Sequence, residues 1–100
     1  MSNYSASSAE HFAAGMQESE RAKIVGGQSC GCMLGILGKT KIKGGELYVS
    51  QFDFVTARGR RIEQIGVIPN VTIVPTVADV QGGFSKAINE AENLLISHQN

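Results

Sequence analysis

The chain is expected to be an α/β layered domain, and three observations carry that expectation. An amphipathic helical stripe near the start runs into a short apolar strand closed by glycines. A long β-patterned stretch with a paired-glycine turn fills the middle, and a second amphipathic helix comes last. Helical and strand periodicities alternating in this way are how helices come to lie on a sheet.

Residues 8–19 form the first expected helix, because Ala9, Phe12, Ala13 and Met16 recur at the i, i+3, i+4, i+7 spacing of one apolar face. Gln17, Glu18, Glu20 and Arg21 supply its wet side and exit. Ala22-Lys23-Ile24-Val25, ended by Gly26-Gly27, suits a short buried strand running into a loop. From Met33 the pattern turns to strands. Lys39, Lys41 and Lys43 alternate with Thr40 and Ile42, and Gly44-Gly45 then marks a hairpin turn. The return strand over residues 46–54 carries Leu47, Val49, Phe52 and Phe54, a set that switches parity and so predicts a bulge near Ser50-Gln51. Arg58-Gly59-Arg60 reads as a second tight turn before a short strand, Arg61-Ile62-Glu63. A loop, Gly66-Val67-Ile68-Pro69-Asn70, leads into the β-branched strand Val71-Thr72-Ile73-Val74, which Pro75 stops. The last helix is expected over residues 83–97, with Phe84, Ala87, Ile88, Ala91, Leu94 and Leu95 on one face.

One hundred residues make one small domain, spanning 1–100, with 42% hydrophobic and 18% charged residues. Nine basic residues balance nine acidic ones, so no net field draws the chain to nucleic acid or to an anionic membrane. The Lys39, Lys41, Lys43 stripe and the Arg58, Arg60, Arg61 cluster fit a solvated edge that discourages aggregation better than a phosphate-binding surface. No apolar run approaches the length of a membrane span, and the first residues lack the basic start and apolar segment of a signal peptide.

Cys30 and Cys32 stand one glycine apart, too close for a disulfide framework, and are expected to be two small, mostly buried thiols. Without a bridge or an export signal, a reducing cytoplasm is the default compartment. His11 and His98 are the only histidines, too few soft ligands for a metal site, and no cofactor is called for. His98 suits the negative pole of its helix.

Ser5-Ala6-Ser7-Ser8-Ala9-Glu10 carries the chemistry. In one reading Ser7 caps the first helix and Glu10 reaches back to its amide, a capping box. In the other, Ser7 is a nucleophile set where free N–H groups and the positive helix end favour an oxyanion. His11, one turn after Ser7, could approach the hydroxyl, although a base on the same helix would tend to block the substrate.

Three separated segments resemble one family. Residues 5–10, then Ala22-Lys23-Ile24-Val25-Gly26 with Gly31 behind it, resemble the nucleophile helix and following strand-loop of the tail-specific (carboxyl-terminal-processing) serine peptidases. The stretch from Thr56 to Val71 is similar to that family's turn, x-x-x-Gly-x-x-x-x-x-x-Gly-x-x-Pro-Asp-x. The resemblance implies a crotonase-like (ClpP-like) fold, of which this chain would be the C-terminal part, with a β-hairpin and two amphipathic helices. It implies Ser7 as nucleophile and Glu10 as a supporting carboxylate. The tail-specific branch carries its base lysine in a Gly-Lys pair, and this chain has Gly31-Cys32 there. Cysteine cannot replace a neutral lysine as the base, and Lys39, the next lysine, falls in the hairpin.

A second branch resembles the tricorn protease core, which pairs serine with histidine and glutamate. Its Glu-x-x-Gly-Val-x-Pro segment is similar to Glu63-Gln64-Ile65-Gly66-Val67-Ile68-Pro69. By that resemblance Glu63 orients the histidine; its other reading is a solvated carboxylate near Arg60 and Arg61. The resemblance places the histidine and the oxyanion glycines upstream of the nucleophile, so the isolated chain is expected to be nearly inert. Hydrolysis of a peptide or unfolded protein through an acyl-enzyme is the expected reaction. Alternatives are a non-catalytic ligand carrier, similar to the interphotoreceptor retinoid-binding repeats, and a truncated structural relative. Uncovered apolar surface predicts self-association into a homo-oligomer.

Overall fold

The computed structural model describes residues 1–97. The elements run α1 (Ser8–Glu18), β1 (Val25–Gly26), β2 (Lys39–Ile42), β3 (Gly45–Tyr48), β4 (Val71–Thr72), α2 (Val77–Gln81) and α3 (Ser85–Ser97). β1 and β4 pair in parallel, Val25 opposite Val71 and Gly26 opposite Thr72. β2 and β3 form a separate antiparallel ribbon, from Lys39 opposite Tyr48 to Ile42 opposite Gly45. Mixed helix and strand with a parallel pair is an α/β arrangement.

Helix α1 forms where the periodicity places it, but a different face is buried. Glu10, Ala13 and Ala14 turn inward, whereas Phe12 is 71% exposed and Ala9 is also exposed. The rotation follows from Glu10, whose carboxylate is fixed from inside by loop amides (below). Pairing in β1 is limited to Val25 and Gly26, because the Asn70 side chain occupies the place of a strand partner just before it. Its Oδ1 accepts from the Ile24 N–H at 2.8 Å and from Gln17 Nε2 at 3.0 Å, tying α1, β1 and β4 together.

The ribbon turns one residue earlier than expected. Ile42 faces Gly45, leaving Lys43-Gly44 as the two-residue loop, with Gly44 at φ 86°. All of its residues are exposed, and Lys39 pairs with Glu46 at 2.7 Å. The return strand expected over residues 46–54 forms only as Gly45–Tyr48. Beyond it Phe52 makes an isolated bridge to Gly35, where the N–H groups of Gln51 and Phe52 both donate to the Gly35 carbonyl, at 2.8 and 3.4 Å, in a bulge-like pattern. The turn at Arg58-Gly59-Arg60 is also present, closed by Thr56 N–H to the Arg60 carbonyl at 2.9 Å. After it only Arg61 bridges, to Val55, in place of the expected three-residue strand. Glu18 anchors this turn to the end of α1. Hydrogen bonding to Thr56 and to the Arg58 N–H, with the Arg60 and Arg58 charges, outweighs desolvation and holds its carboxyl below the ordinary value.

Helix α2 lies outside the sequence expectation of two helices. Thr76, just past Pro75, caps it by accepting from the Asp79 N–H at 3.2 Å, and Asp79 returns a bond to the Thr76 N–H at 2.9 Å. Gly83 at φ 76° and Phe84 at φ 61° then break the chain, so α3 starts at Ser85, two residues later than expected. Ala87, Ala91 and Leu94 are half-buried on α3, while Phe84, Ile88 and Leu95 are exposed.

The core is small: Ala13, Ala14, Met33, Ile62 and Val67, flanked by Met1, Ile24 and Phe54. The radius of gyration is 16.9 Å, against about 13 Å for a compact chain of this length. The thin dimension, 17 Å, accommodates little more than one helix-on-sheet layer. Among the described residues no helix is long and apolar enough to cross a membrane.

Candidate functional site

Ser7 precedes α1 in a left-handed conformation, φ 55° and ψ −121°. A non-glycine residue held there stores roughly 1–3 kcal/mol of backbone strain, which persists only where surroundings enforce it. Its N–H is clamped twice, by the Glu10 carboxylate at 2.9 Å and by the Cys32 carbonyl at 3.2 Å. Thus the carboxylate arm of the expected capping box is made. The Ser7 hydroxyl, however, makes no cap hydrogen bond and is exposed to solvent. Next to it the Ser8 N–H has no acceptor among the described residues. A hydroxyl, a spare amide and a helix N-terminus therefore meet at one exposed point.

Glu10 holds this turn in place. It is fully enclosed, and all four of its contacts are donors: the Ser29 hydroxyl and Gly31 N–H on Oε1 at 2.5 and 2.6 Å, and the Ser7 and Cys32 N–H groups on Oε2 at 2.9 and 3.0 Å. Desolvation alone would raise its pKa; the Ser29 hydroxyl and the amides of Gly31, Cys32 and Ser7 outweigh it, leaving the carboxyl below its ordinary value. Ser29 passes the connection onward by accepting from the Val67 N–H at 2.6 Å. Sequence reasoning missed Ser29. Its signal was a small hydroxyl residue in the glycine-flanked loop after β1.

Glu63 belongs to the same framework. Its Oε2 accepts from the N–H groups of Met33 at 2.6 Å and Leu34 at 3.1 Å, and its Oε1 has no partner among the described residues. Four consecutive amides, residues 31–34, are thus divided between two carboxylates, two for Glu10 and two for Glu63. Arg60 and Arg61 pair elsewhere, with Glu18 at 3.4 Å and Asp53 at 2.5 Å, and Arg58 pairs with Glu20 at 3.2 Å. The solvated pairing of Glu63 with Arg60 and Arg61 is not what forms.

His11 lies edge-on against Phe54, ring centroids 4.2 Å apart, and its imidazole has no hydrogen bond to Ser7. With Met33, Phe54, Thr56, Arg58 and Ile62 it lines a mainly apolar hollow of about 270 Å³. Ser7 itself is not in that lining; the hollow starts one turn further along α1. His98 lies outside the described residues. Among the described residues no three metal-binding side chains cluster.

The cysteines correct the sequence expectation. Cys30 and Cys32 form a disulfide and both are exposed, so they are not buried thiols. Gly31, at φ 72°, turns the backbone so that the flanking Cα atoms stand 5.3 Å apart, inside the range a disulfide spans. The inference from reduced thiols to a reducing cytoplasm loses its premise.

Close packing behind the cage makes Gly66 costly to replace. At φ 81°, an added Cβ would lie 2.5 Å from the Ser29 carbonyl oxygen, whereas at Gly59, φ 77°, it would enter open space. Gly59→Ala therefore costs only the left-handed penalty, about 1 kcal/mol. Gly66→Ala adds overpacking of about 1–3 kcal/mol. Thermal unfolding is expected to show roughly 5 °C lost at Gly59 and at least twice that at Gly66. Equal losses would mean that the Ser29–Gly66 contact yields freely.

No curated protein matches the chain. The sequence model of peptidase family S41 matches residues 1–73, ending one residue past β4. The matched stretch contains Ser7, the Glu10 cage, the Cys30–Cys32 bridge and Glu63, and leaves α2 and α3 beyond it. The chain belongs to peptidase family S41, a family of serine peptidases.

Proposed function

We propose that these residues are the C-terminal part of a crotonase-like catalytic layer of the tail-specific and tricorn-like kind, and that Ser7 is its nucleophile. The observation that carries this reading is Ser7 itself, strained at φ 55° with an exposed hydroxyl that caps nothing. Strained turns of this sort present nucleophiles at helix N-termini. The Ser7 oxygen attacks a peptide carbonyl, a base takes its proton, and the oxyanion receives the Ser8 N–H and the helix dipole. Collapse expels the amine, which leaves with that proton, and water then hydrolyses the acyl-enzyme. Losing one such oxyanion donor costs roughly 3–4 kcal/mol of transition-state stabilisation.

Glu63 fits the role of orienter. Two amides hold Oε2, and Oε1 remains for the N–H of an imidazole. Cys32 is tied into a disulfide and His11 lies edge-on against Phe54 with no bond to Ser7, so this reading takes its histidine base from residues other than these. The apolar hollow beside His11 suits an apolar side chain of a peptide or unfolded protein substrate. Labelling of Ser7 by a fluorophosphonate probe in the full-length protein tests the reading. A second reading, a non-catalytic ligand-binding relative, is favoured by the disulfide at the position where the tail-specific branch has its lysine. Silence toward the probe would select it.

We also propose that this chain self-associates. Phe12, Leu37, Val74 and Leu95 are 71, 77, 75 and 68% exposed on a thin molecule, and large apolar side chains left open in this way are what a second copy would cover. Light scattering of the purified chain is expected to give a mass at least twice that of the monomer. A clean monomer counts against it.

A further inference from the structure

Residues 30–32 do more than follow the nucleophile helix; their backbone holds it. The Cys30 N–H donates to the Ser5 carbonyl at 2.9 Å, and the Cys32 carbonyl accepts from the Ser7 N–H at 3.2 Å. The amides of Gly31 and Cys32 donate to Glu10 at 2.6 and 3.0 Å. A disulfide joins the two residues whose main chains grip either end of the Ser5–Ser7 turn. A cross-link between residues two apart closes the shortest of loops, where the stabilisation from loop closure is smallest. Global stability is therefore not what this bond chiefly supplies. Both half-cystines are exposed, so an attacking thiolate can reach the sulfurs without unfolding the chain.

We propose that Cys30–Cys32 is a thiol–disulfide exchange site for a dithiol reductant, and that its redox state sets how firmly the Ser5–Ser7 turn is held. One thiolate of the reductant attacks a cystine sulfur, forms a mixed disulfide and releases the other cysteine as a thiolate. The second thiol of the reductant, as thiolate, then displaces the remaining cysteine. Two electrons and two protons pass to the chain in total, and the reductant departs as its cyclic disulfide. An oxidised dithiol reverses both steps. With the bridge open, residues 30–32 retain their hydrogen bonds but lose the covalent limit on their spacing, and the turn opens more often. The consequence for catalysis rests on Ser7 being the nucleophile; the exchange chemistry does not.

Both cysteines fall in one tryptic peptide, residues 24–39, between Lys23 and Lys39. The native full-length protein is treated with dithiothreitol, trapped with iodoacetamide and digested. This peptide is expected to carry no label before treatment, two labels after it, and none once the dithiothreitol has been removed and the protein reoxidised with diamide. Labels in the untreated protein, or labels that appear only with denaturant, overturn the exchange site. Amide hydrogen exchange of a peptide covering residues 4–12 reads the coupling. Reduced protein is expected to exchange about tenfold faster there than oxidised protein, as is a Cys30→Ser/Cys32→Ser variant. Equal exchange in all three overturns the coupling. Because neither readout involves the Ser7 hydroxyl, failure here and failure of fluorophosphonate labelling are separate results.

Discussion

Replacement of Glu10 by glutamine is expected to lower the thermal midpoint by at least about 12 °C. The native carboxylate accepts four hydrogen bonds and donates none. Glutamine keeps the shape but turns one acceptor into an NH2 group, which then faces two donors. Buried donors to a charged acceptor are worth roughly 1.5–3 kcal/mol each, and stranding two of them costs about 3 kcal/mol or more after local relaxation. For a chain this small that is a large share of the whole stability. The pH dependence follows the same bond set. Because the folded carboxyl titrates below its unfolded value, the stability it contributes is complete above about pH 4.5 and is lost as the pH falls through the lowered folded value. Glu18 and Asp53 are lowered too, so acid weakens the fold at several points. The difference between the native protein and Glu10→Gln isolates this one group: the gap in midpoint is expected to narrow toward low pH. A variant melting within about 2 °C of the native protein at pH 7 would show that the cage holds no charge.

Ser7→Ala is expected to abolish fluorophosphonate labelling, to reduce peptide cleavage by the full-length protein at least a thousandfold, a floor well under the roughly millionfold loss seen when a nucleophilic serine is removed, and to leave the fold intact. The last expectation comes from the geometry. A capping hydroxyl replaced by alanine costs about 1 kcal/mol, or 4–8 °C in a chain of this length. The Ser7 hydroxyl makes no cap bond, its N–H contacts survive the change, and alanine meets the same left-handed penalty as serine. The midpoint should therefore move by less than about 3 °C. A lower midpoint together with undiminished labelling would make Ser7 a cap and place the reactive group elsewhere.

Local chemistry was legible in the sequence. The bounds of α1, the lysine ribbon and the turn closed by Thr56 and Arg60 all depend on residues a few positions apart. Helix α2 was legible in principle: Thr76 and Asp79 form a capping box after Pro75, but five residues give too short a periodic signal. The order of three segments indicated the family, and Ser7, Glu10 and Glu63 are the site residues that resemblance implies.

What those groups do in the fold was not legible, because their partners are far along the chain. Glu10 is buried by amides 21 and 22 residues away, and that contact, not the apolar stripe through Phe12, decides which face of α1 turns inward. Glu63 is held by amides 29 and 30 residues away, and Ser29 enters only because its hydroxyl lies between Glu10 and Val67. The two cysteines became a bridge because Gly31 bends the chain where both carboxylate-binding pairs of amides meet. By itself the sequence determined α1, the lysine ribbon and the family, and it singled out the hydroxyl that we propose as the nucleophile. Only the tertiary structure decided its surroundings, since a backbone N–H carries no side-chain signature and four of them in a row hold the site together.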